Sequence, residues 1–310
     1  MNLVKMISKH NIYSGSNWNF EKSYRYLFML DNEKVVEASY FEHYYDGNFV
    51  KKVIELPITL GCNVGCKFCA SSLIKVFVKL KFEEIEEIYK CIIQNQKLHN
   101  EKHLITFTGI GEMNNNLEPI KKFIEKYNDK KCEYTLSTIN FNRNIYNFII
   151  NIRDIAKLRR FQITFISADK NVVADLIPFF NITEYDMKEI IELINKLDEV
   201  SVRINYVMIK NVNDSLSDMN EFISNFNKIK GRIRVRISKL NITAGTQKHK
   251  LQVPDLQRLD EFGALLRQNG FVSYVFYSEC NDNLNCGQLV YNNELNKYDE
   301  IEERCNHEYI

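Results

Sequence analysis

Proline and glycine are scarce, at 4 and 11 of 310 residues. That excludes collagen-like repeats, proline-rich spacers and long flexible linkers. No stretch approaches the roughly 18 consecutive apolar residues that a membrane helix needs. The opening MNLVKMISKHNIYSGS has no apolar segment of the secretory-signal kind. The expectation is a cytoplasmic protein with no membrane partner. An excess of one charge is also absent: 41 Lys+Arg stand against 40 Asp+Glu, a net charge of +1. Bulk charge therefore holds no polyanion here, and any nucleic-acid contact needs a local basic patch. Eight cysteines are present, but a chain this long buries enough surface to need no disulfide framework. In a cytoplasmic chain, clustered cysteines serve metal or redox chemistry.

Beyond these gaps, the apolar pattern alternates between two periods. Residues 1–24 are polar and aromatic without a clear period and read as a loose extension. Residues 25–31 and 34–41 read as strands around an Asp-Asn-Glu turn, and Lys52–Leu60 reads as a strand entering a cysteine loop. Helical spacing then marks Phe82, Ile85, Ile88 and Ile92, next Leu117 to Tyr127, and next Ile145 to Ile152. His103–Thr108, Tyr134–Thr138 and Phe161–Ile166 read as the intervening strands. Thr183 with Asp186 has a capping-box spacing before a helix carrying Met187 to Leu197. Ser201–Met208 is a strand, Asn213–Asp214–Ser215 caps a helix to Phe226, and Ile233, Val235 and Ile237 alternate as a strand. A helix after Pro254 and a strand at Val272–Tyr277 complete the pattern.

Strands alternating with helices predict an α/β protein with a parallel sheet. Six or so such units predict a partial, open βα barrel with a short N-terminal β extension. The expected division is an extension over 1–50, the barrel over 51–290 and a tail over 291–310. Chemistry in such barrels sits on loops after the C-terminal strand ends.

One such loop reads GCNVGCKFCA and places Cys62, Cys66 and Cys69 at C-x3-C-x2-C spacing. Three thiolates can hold a four-iron cluster while leaving one iron open to a small molecule. Gly61 and Gly65 allow the tight loop this requires. A structural zinc site lacks an obvious fourth ligand here, and unligated thiols are the other plain alternative. Cys91 and Cys132 read as small apolar core residues. Cys280, Cys286 and Cys305, at C-x5-C-x18-C spacing, form no strong cluster signature.

The cysteine spacing, with Phe68 before the last thiol, resembles the radical S-adenosylmethionine (SAM) superfamily. Further segments resemble its RlmN/Cfr-type RNA methyltransferase subgroup in the same order along the chain. YRYLFMLDNEKVVEASYF is similar to that family's leading strands, FTGIGEMNNN to its GMGEP-x-x-N segment and LSTIN to its STxG loop. FQITFISADKNVVADLIPFFN, INYVMIKNVNDS, VRISKLN and DNLNCGQL extend the resemblance to about Val290. The resemblance implies a [4Fe-4S] cluster on Cys62, Cys66 and Cys69. The cluster's open iron chelates SAM, and one electron cleaves SAM to methionine and a 5′-deoxyadenosyl radical. It implies SAM contacts at Gly111, Glu112, Ser137, Thr164 and Asn241, and a methyl-carrying cysteine at Cys286. It also implies an electron donor of flavodoxin or ferredoxin type.

Departures from that pattern bear on the reaction. The family's resolving cysteine, seven residues before the first cluster ligand, is replaced by Glu55, and no cysteine precedes Cys62. The family's SLH histidine position reads Ile166, and its larger N-terminal accessory domain has no counterpart. Without a second thiol the usual disulfide-resolved adduct cannot form. Glu55 acting as a base, Cys280 acting as the second thiol, or a different radical reaction are the three explanations. The last is favoured, with a small molecule, a nucleotide or another non-ribosomal substrate. An RNA adenine methyltransferase using Cys286 is the alternative, and a non-catalytic Fe–S or zinc protein is a second.

Substrate clues lie on the strands. Arg232, Arg234 and Arg236 alternate with apolar residues, and Arg203 and Asn205 repeat the pattern one strand earlier. These predict a basic lumen that receives a phosphate or carboxylate, against a plain solvated edge. Tyr13, Trp18, Phe20 and Tyr24 either stack bases or cover the barrel. Lys75, Lys79 and Lys81 read as a solvated loop beside the cysteines.

Overall fold

The computed structural model of the chain describes residues 1–13, 18–31 and 33–277. Cys280, Cys286 and Cys305 lie outside the described residues, as does the 291–310 tail. In chain order come β1 (Asn2–Tyr13), β2 (Trp18–Met29), β3 (Val35–Tyr45), β4 (Asn48–Glu55), β5 (Thr59–Leu60) and β6 (Val78–Lys79). Next are α1 (Phe82–Asn95), β7 (His103–Thr106), α2 (Leu117–Lys126), β8 (Cys132–Thr138), α3 (Arg143–Arg153) and β9 (Leu158–Phe165). Then follow α4 (Lys170–Leu176), α5 (Met187–Asn195), β10 (Val202–Met208), α6 (Leu216–Phe226) and β11 (Ile233–Lys239). Last are α7 (Ala244–Lys248), α8 (Leu256–Gln268) and β12 (Val272–Phe276).

Ten strands form one sheet in the order β1-β2-β3-β4-β7-β8-β9-β10-β11-β12, while β5 and β6 pair separately. The first four pair antiparallel, and from β4 to β12 every neighbour is parallel. This is the expected partial βα barrel. The N-terminal extension, however, is not loose: β1 and β2 form a long antiparallel hairpin joined to β3. Its strands mix polar, apolar and aromatic residues, so no clean apolar alternation marks it in the sequence. The run Lys52–Leu60 is not one strand either. It divides at Pro57 into the end of β4 and the short β5, because proline has no N–H for a ladder.

Each parallel strand turns its apolar side to the helices. Ile233, Val235 and Ile237 of β11 and Ile204, Tyr206 and Met208 of β10 are buried there. An aromatic group locks this layer: Tyr206 meets Phe262 at 4.8 Å between ring centres, and Phe165 meets Phe222 at 5.2 Å. Edge-to-face rings of this kind add about 0.5–1.5 kcal/mol each beyond their buried area. α5 begins on Asp186, whose carboxylate accepts from the N–H groups of Lys188 and Glu189. The Thr183–Asp186 capping box is therefore corrected to a single aspartate cap, because Thr183 lies in the 3-10 turn before it. α6 does start as expected, with Ser215 and Asp218 exchanging hydrogen bonds.

Asn213, within the NVNDS run, is fully buried and ties three segments together. Its amide donates to the carbonyls of Ile166 (2.7 Å) and Val207 (2.9 Å) and accepts from Ile209 N–H (2.7 Å). Asn213→Ala would leave these groups without a partner. The expected loss is about 3 kcal/mol of stability, read as a lower urea midpoint with unchanged slope.

Candidate active site

A cavity opens at the C-terminal end of the parallel strands, where the loops after β5, β7, β8 and β11 meet the inward residues of β9 and β10. Its lining includes Cys62, Cys66, Cys69, Gly111, Glu112, Ser137, Thr164 and Asn241, so every expected cluster ligand and SAM contact comes to one place. Arg236 and Phe276 close its far side.

The cysteine loop is folded tightly and held from two sides. Gly61 (φ 67°) and Gly65 (φ 73°) adopt left-handed backbone, and a side chain at Gly65 would strike the Phe179 ring. Cys69 N–H donates to Cys66 C=O at 3.0 Å, and Ser72 Oγ donates to Cys69 C=O at 2.7 Å. From α7, Thr243 Oγ1 donates to Phe68 C=O at 3.0 Å. From α4, the Leu176 carbonyl accepts from Lys67 N–H at 2.9 Å, and Asp175 pairs with Lys67 Nζ at 2.6 Å. Both short helices, which lack a readable period, thus serve to clamp this loop.

All three thiols are free. Burial pushes the Cys62 thiol up to about 12 and raises Cys66 and Cys69 as well. Such thiols give up their protons to a bound metal rather than to water. Among the described residues, no three His, Cys, Asp or Glu side chains are gathered as donors to a single ion. A four-iron cluster makes no such demand, since each thiolate binds its own iron. Three thiols on one clamped loop, Cys66 buried and Cys62 and Cys69 partly buried, all lining the cavity, fit that group.

Glu112 is fixed before any ligand arrives. Its carboxylate accepts from the Thr138 hydroxyl and from Ile139 N–H, the latter at 3.1 Å. Burial raises its pKa against these bonds. A carboxylate has about four acceptor sites, so it keeps capacity for one more donor. Ser137 Oγ accepts from Gln162 Nε2 at 3.1 Å, and Ser238 Oγ donates to Asn205 Oδ1 at 2.7 Å. Thr108, Thr138, Gln162 and Ser238 also line the cavity; each lies inside one of the family-like segments, beside a residue the resemblance marks or within the same run.

Glu55 ends β4 beside the cavity rather than in its lining. Thr108 Oγ1, which does line the cavity, donates to Glu55 Oε1 at 3.3 Å. Burial pushes the Glu55 carboxyl up to about 7, against the pull of that hydroxyl and of Lys51. Cys132 is buried near Tyr89 and His103, as a core thiol should be. Cys91 is only half-buried on α1, with Asn95 Nδ2 at 3.2 Å from its sulfur. Arg232 departs from the expected lumen: it precedes β11 and pairs with Asp198 at 2.5 Å. Arg203 and Arg236 do point inward.

A parallel partial barrel with three thiols on a glycine-turned loop, opening on a carboxylate-bearing cavity, has the form of an enzyme built to hold a thiolate-bound cluster. Sequence comparison gives it a family. The pattern of the radical SAM superfamily matches residues 56–223, more than half of the chain, and the chain belongs to that superfamily. Its members use a [4Fe-4S] cluster and S-adenosylmethionine, with an external reductant. Among curated relatives, a probable dual-specificity RNA methyltransferase RlmN of Clostridium botulinum is 24% identical over 285 residues, covering 87% of this chain and 76% of the relative. The corresponding protein of Finegoldia magna is 27% identical over 290 residues, covering 85% and 76%. Among solved structures, a radical SAM methyltransferase from Sphaerobacter thermophilus superposes with a TM-score of 0.74 at 19% identity, covering 93% of this chain and 80% of the other. These likenesses agree with the RlmN/Cfr-like motifs. No helix among the described residues is long and apolar enough to cross a membrane.

Proposed function

We propose that this radical SAM enzyme binds its cluster through Cys62, Cys66 and Cys69, and SAM along Gly111, Glu112, Ser137, Thr164 and Asn241. Bound there, the cluster and SAM would supply a 5′-deoxyadenosyl radical on receipt of one electron from a cytoplasmic donor of flavodoxin or ferredoxin type. The protein's own part is orientation. Glu112 is held by Thr138 and Ile139 to receive the SAM amino group, a charge-assisted contact. The Gln162–Ser137 and Ser238–Asn205 pairs line the same cavity and would offer hydroxyl and amide groups to the rest of the SAM molecule. The apolar lining residues Val64, Phe68, Ile139, Leu240 and Phe276 would limit water around the reacting carbon.

The reaction proposed is not ordinary adenine methylation. The observation that carries this is Glu55, which replaces the resolving thiol with a partly buried carboxyl whose pKa is pushed up to about 7. A carboxyl cannot close a disulfide, so a methyl-bridged adduct has no thiol partner at that position. The substrate proposed is small or non-ribosomal. The second reading, an RNA adenine methyltransferase with Cys286 as methyl carrier, is favoured by the RlmN relatives and by the CGQL run at Cys286.

Incubation of the reconstituted protein with methyl-labelled SAM and reductant separates the two. The first reading expects 5′-deoxyadenosine with no added methyl on the Cys286 peptide by mass spectrometry. A stoichiometric methyl there, with labelled RNA as product, would instead establish the second.

A further inference from the structure

Behind the cavity the inner face of the sheet becomes basic. β9, β10 and β11 are in parallel register, with Arg203 beside Gln162 and Asn205 beside both Thr164 and Arg236. One pleat further from the cysteine loop than Thr164 and Asn205, Arg203 is the inward residue of β10, level with Gln162, and Arg160 follows one more pleat down β9. Lys51 stands on β4, and its charge is felt together with those of Arg160, Arg203 and Arg236. Arg203 donates to the Tyr274 hydroxyl at 2.7 Å, and the Arg236 guanidinium lies 3.8 Å over the Phe276 ring.

Among the described residues, Arg160, Arg203 and Lys51 have no balancing acid beside them, and none of the three makes an ion pair with a lumen carboxylate. Glu133, on the neighbouring strand, is taken by Lys157 at 2.5 Å and Arg159 at 3.0 Å. Glu55 is near enough to feel Lys51 but is itself pushed toward its neutral form. The Nε atoms of Arg160 and Arg203 are buried with no hydrogen-bond acceptor. Crowding and burial lower both arginines to about 10 and Lys51 to about 7. Gathering like charges away from water costs stability, and buried donors without acceptors add to that cost. A single carboxylate is satisfied by one arginine fork, whereas several cations from different strands match the higher charge and three oxygens of a phosphate.

We infer that this basic floor is a phosphate-binding site, and that the substrate is a small phosphorylated compound seated with its phosphoryl group on Arg160, Arg203 and Lys51 and its reacting carbon toward the cysteine loop. The inference rests on the reading of the cavity as a SAM-dependent centre and specifies the substrate class for it.

The test is thermal unfolding of the full-length, cluster-loaded protein with SAM, in inorganic phosphate or in acetate at equal ionic strength. Iron per chain is measured on every sample. Phosphate at about 100 times its Kd is expected to raise the melting midpoint by roughly 4 °C, with no rise in acetate. The same rise is expected with 5′-AMP and none with adenosine. Arg160→Met should melt above the parent in phosphate-free buffer, since it removes an unbalanced charge, and should lose most of the phosphate response. Lys51→Met is the second variant and should lose the response as well. Equal rises in phosphate and acetate, or a phosphate response that survives in both variants, would overturn the inference. So would a response to a short oligoribonucleotide with none to phosphate or 5′-AMP. Loss of iron binding would count against the cluster assignment, while full iron with no phosphate response counts against the floor alone.

Discussion

Cys66→Ala is expected to drop iron binding after anaerobic reconstitution and to lower reductant-dependent 5′-deoxyadenosine formation by about 100-fold or more. Loss of even an outer partner of a metal ligand costs roughly 10–100-fold, and this change removes a ligand outright. Cys66 is the most buried of the three loop thiols, and with it gone, two sulfurs must hold the whole cluster. The fold should survive, because the loop's clamps run through Lys67, Phe68 and Cys69 backbone atoms rather than the Cys66 sulfur. Cys132→Ala is the matched control: its thiol is also buried but sits beside Tyr89 and His103, so iron content should not change. Iron and sulfide analysis with visible absorbance checks both. A Cys66→Ala protein that still carries a full cluster would remove this residue from the ligand set.

Glu55→Gln should stabilise the protein, and by more at higher pH. The carboxyl ionises near 4.5 when exposed and at about 7 in the fold. Below pH 4.5 it is protonated in both states and contributes no penalty. As pH rises toward 7 the unfolded chain ionises freely while the folded chain resists, so stability falls across that window and then levels off. The full interval is worth about 3 kcal/mol, at about 1.4 kcal/mol per tenfold change in acidity. Glutamine keeps the shape and an acceptor for Thr108 without the ionisation. Urea unfolding should show a gain of about 1 kcal/mol at pH 5 growing to about 3 kcal/mol at pH 8. A gain that does not change with pH would mean that Glu55 is already ionised in the fold. This stored cost at the resolving-thiol position is the physical reason to regard Glu55 as a retained functional group.

How far the residues could be read in advance depended on the range over which each signal acts. The cluster loop is local: C-x3-C-x2-C with two glycines carries its geometry within ten residues. Glu112, Ser137, Thr164 and Asn241 were legible because short motifs fall at strand ends, and parallel strands bring such ends together. The basic floor was only half legible. Arg203 and Arg236 alternate visibly, but Arg160 precedes the strand start as read from Phe161, and β9 in fact begins at Leu158. Lys51 stands inside β4, whose start the sequence does not announce because exposed Asn48, Phe49 and Val50 mix polar and apolar residues without alternation. Arg232 was drawn into the lumen by parity alone, and its partner Asp198 lies 34 residues away. The helices α4 and α7, of 7 and 5 residues, are too short to show a period, so the clamps on the cysteine loop emerge only from the fold.

The central claim is that this cavity cleaves SAM reductively. Its most direct test is anaerobic incubation of the iron- and sulfide-reconstituted protein with SAM and a low-potential reductant, with 5′-deoxyadenosine and methionine measured over time. The account predicts both products in equal amounts, dependent on reductant and on Cys62, Cys66 and Cys69. A fully loaded protein that binds SAM but forms no 5′-deoxyadenosine under these conditions would contradict it.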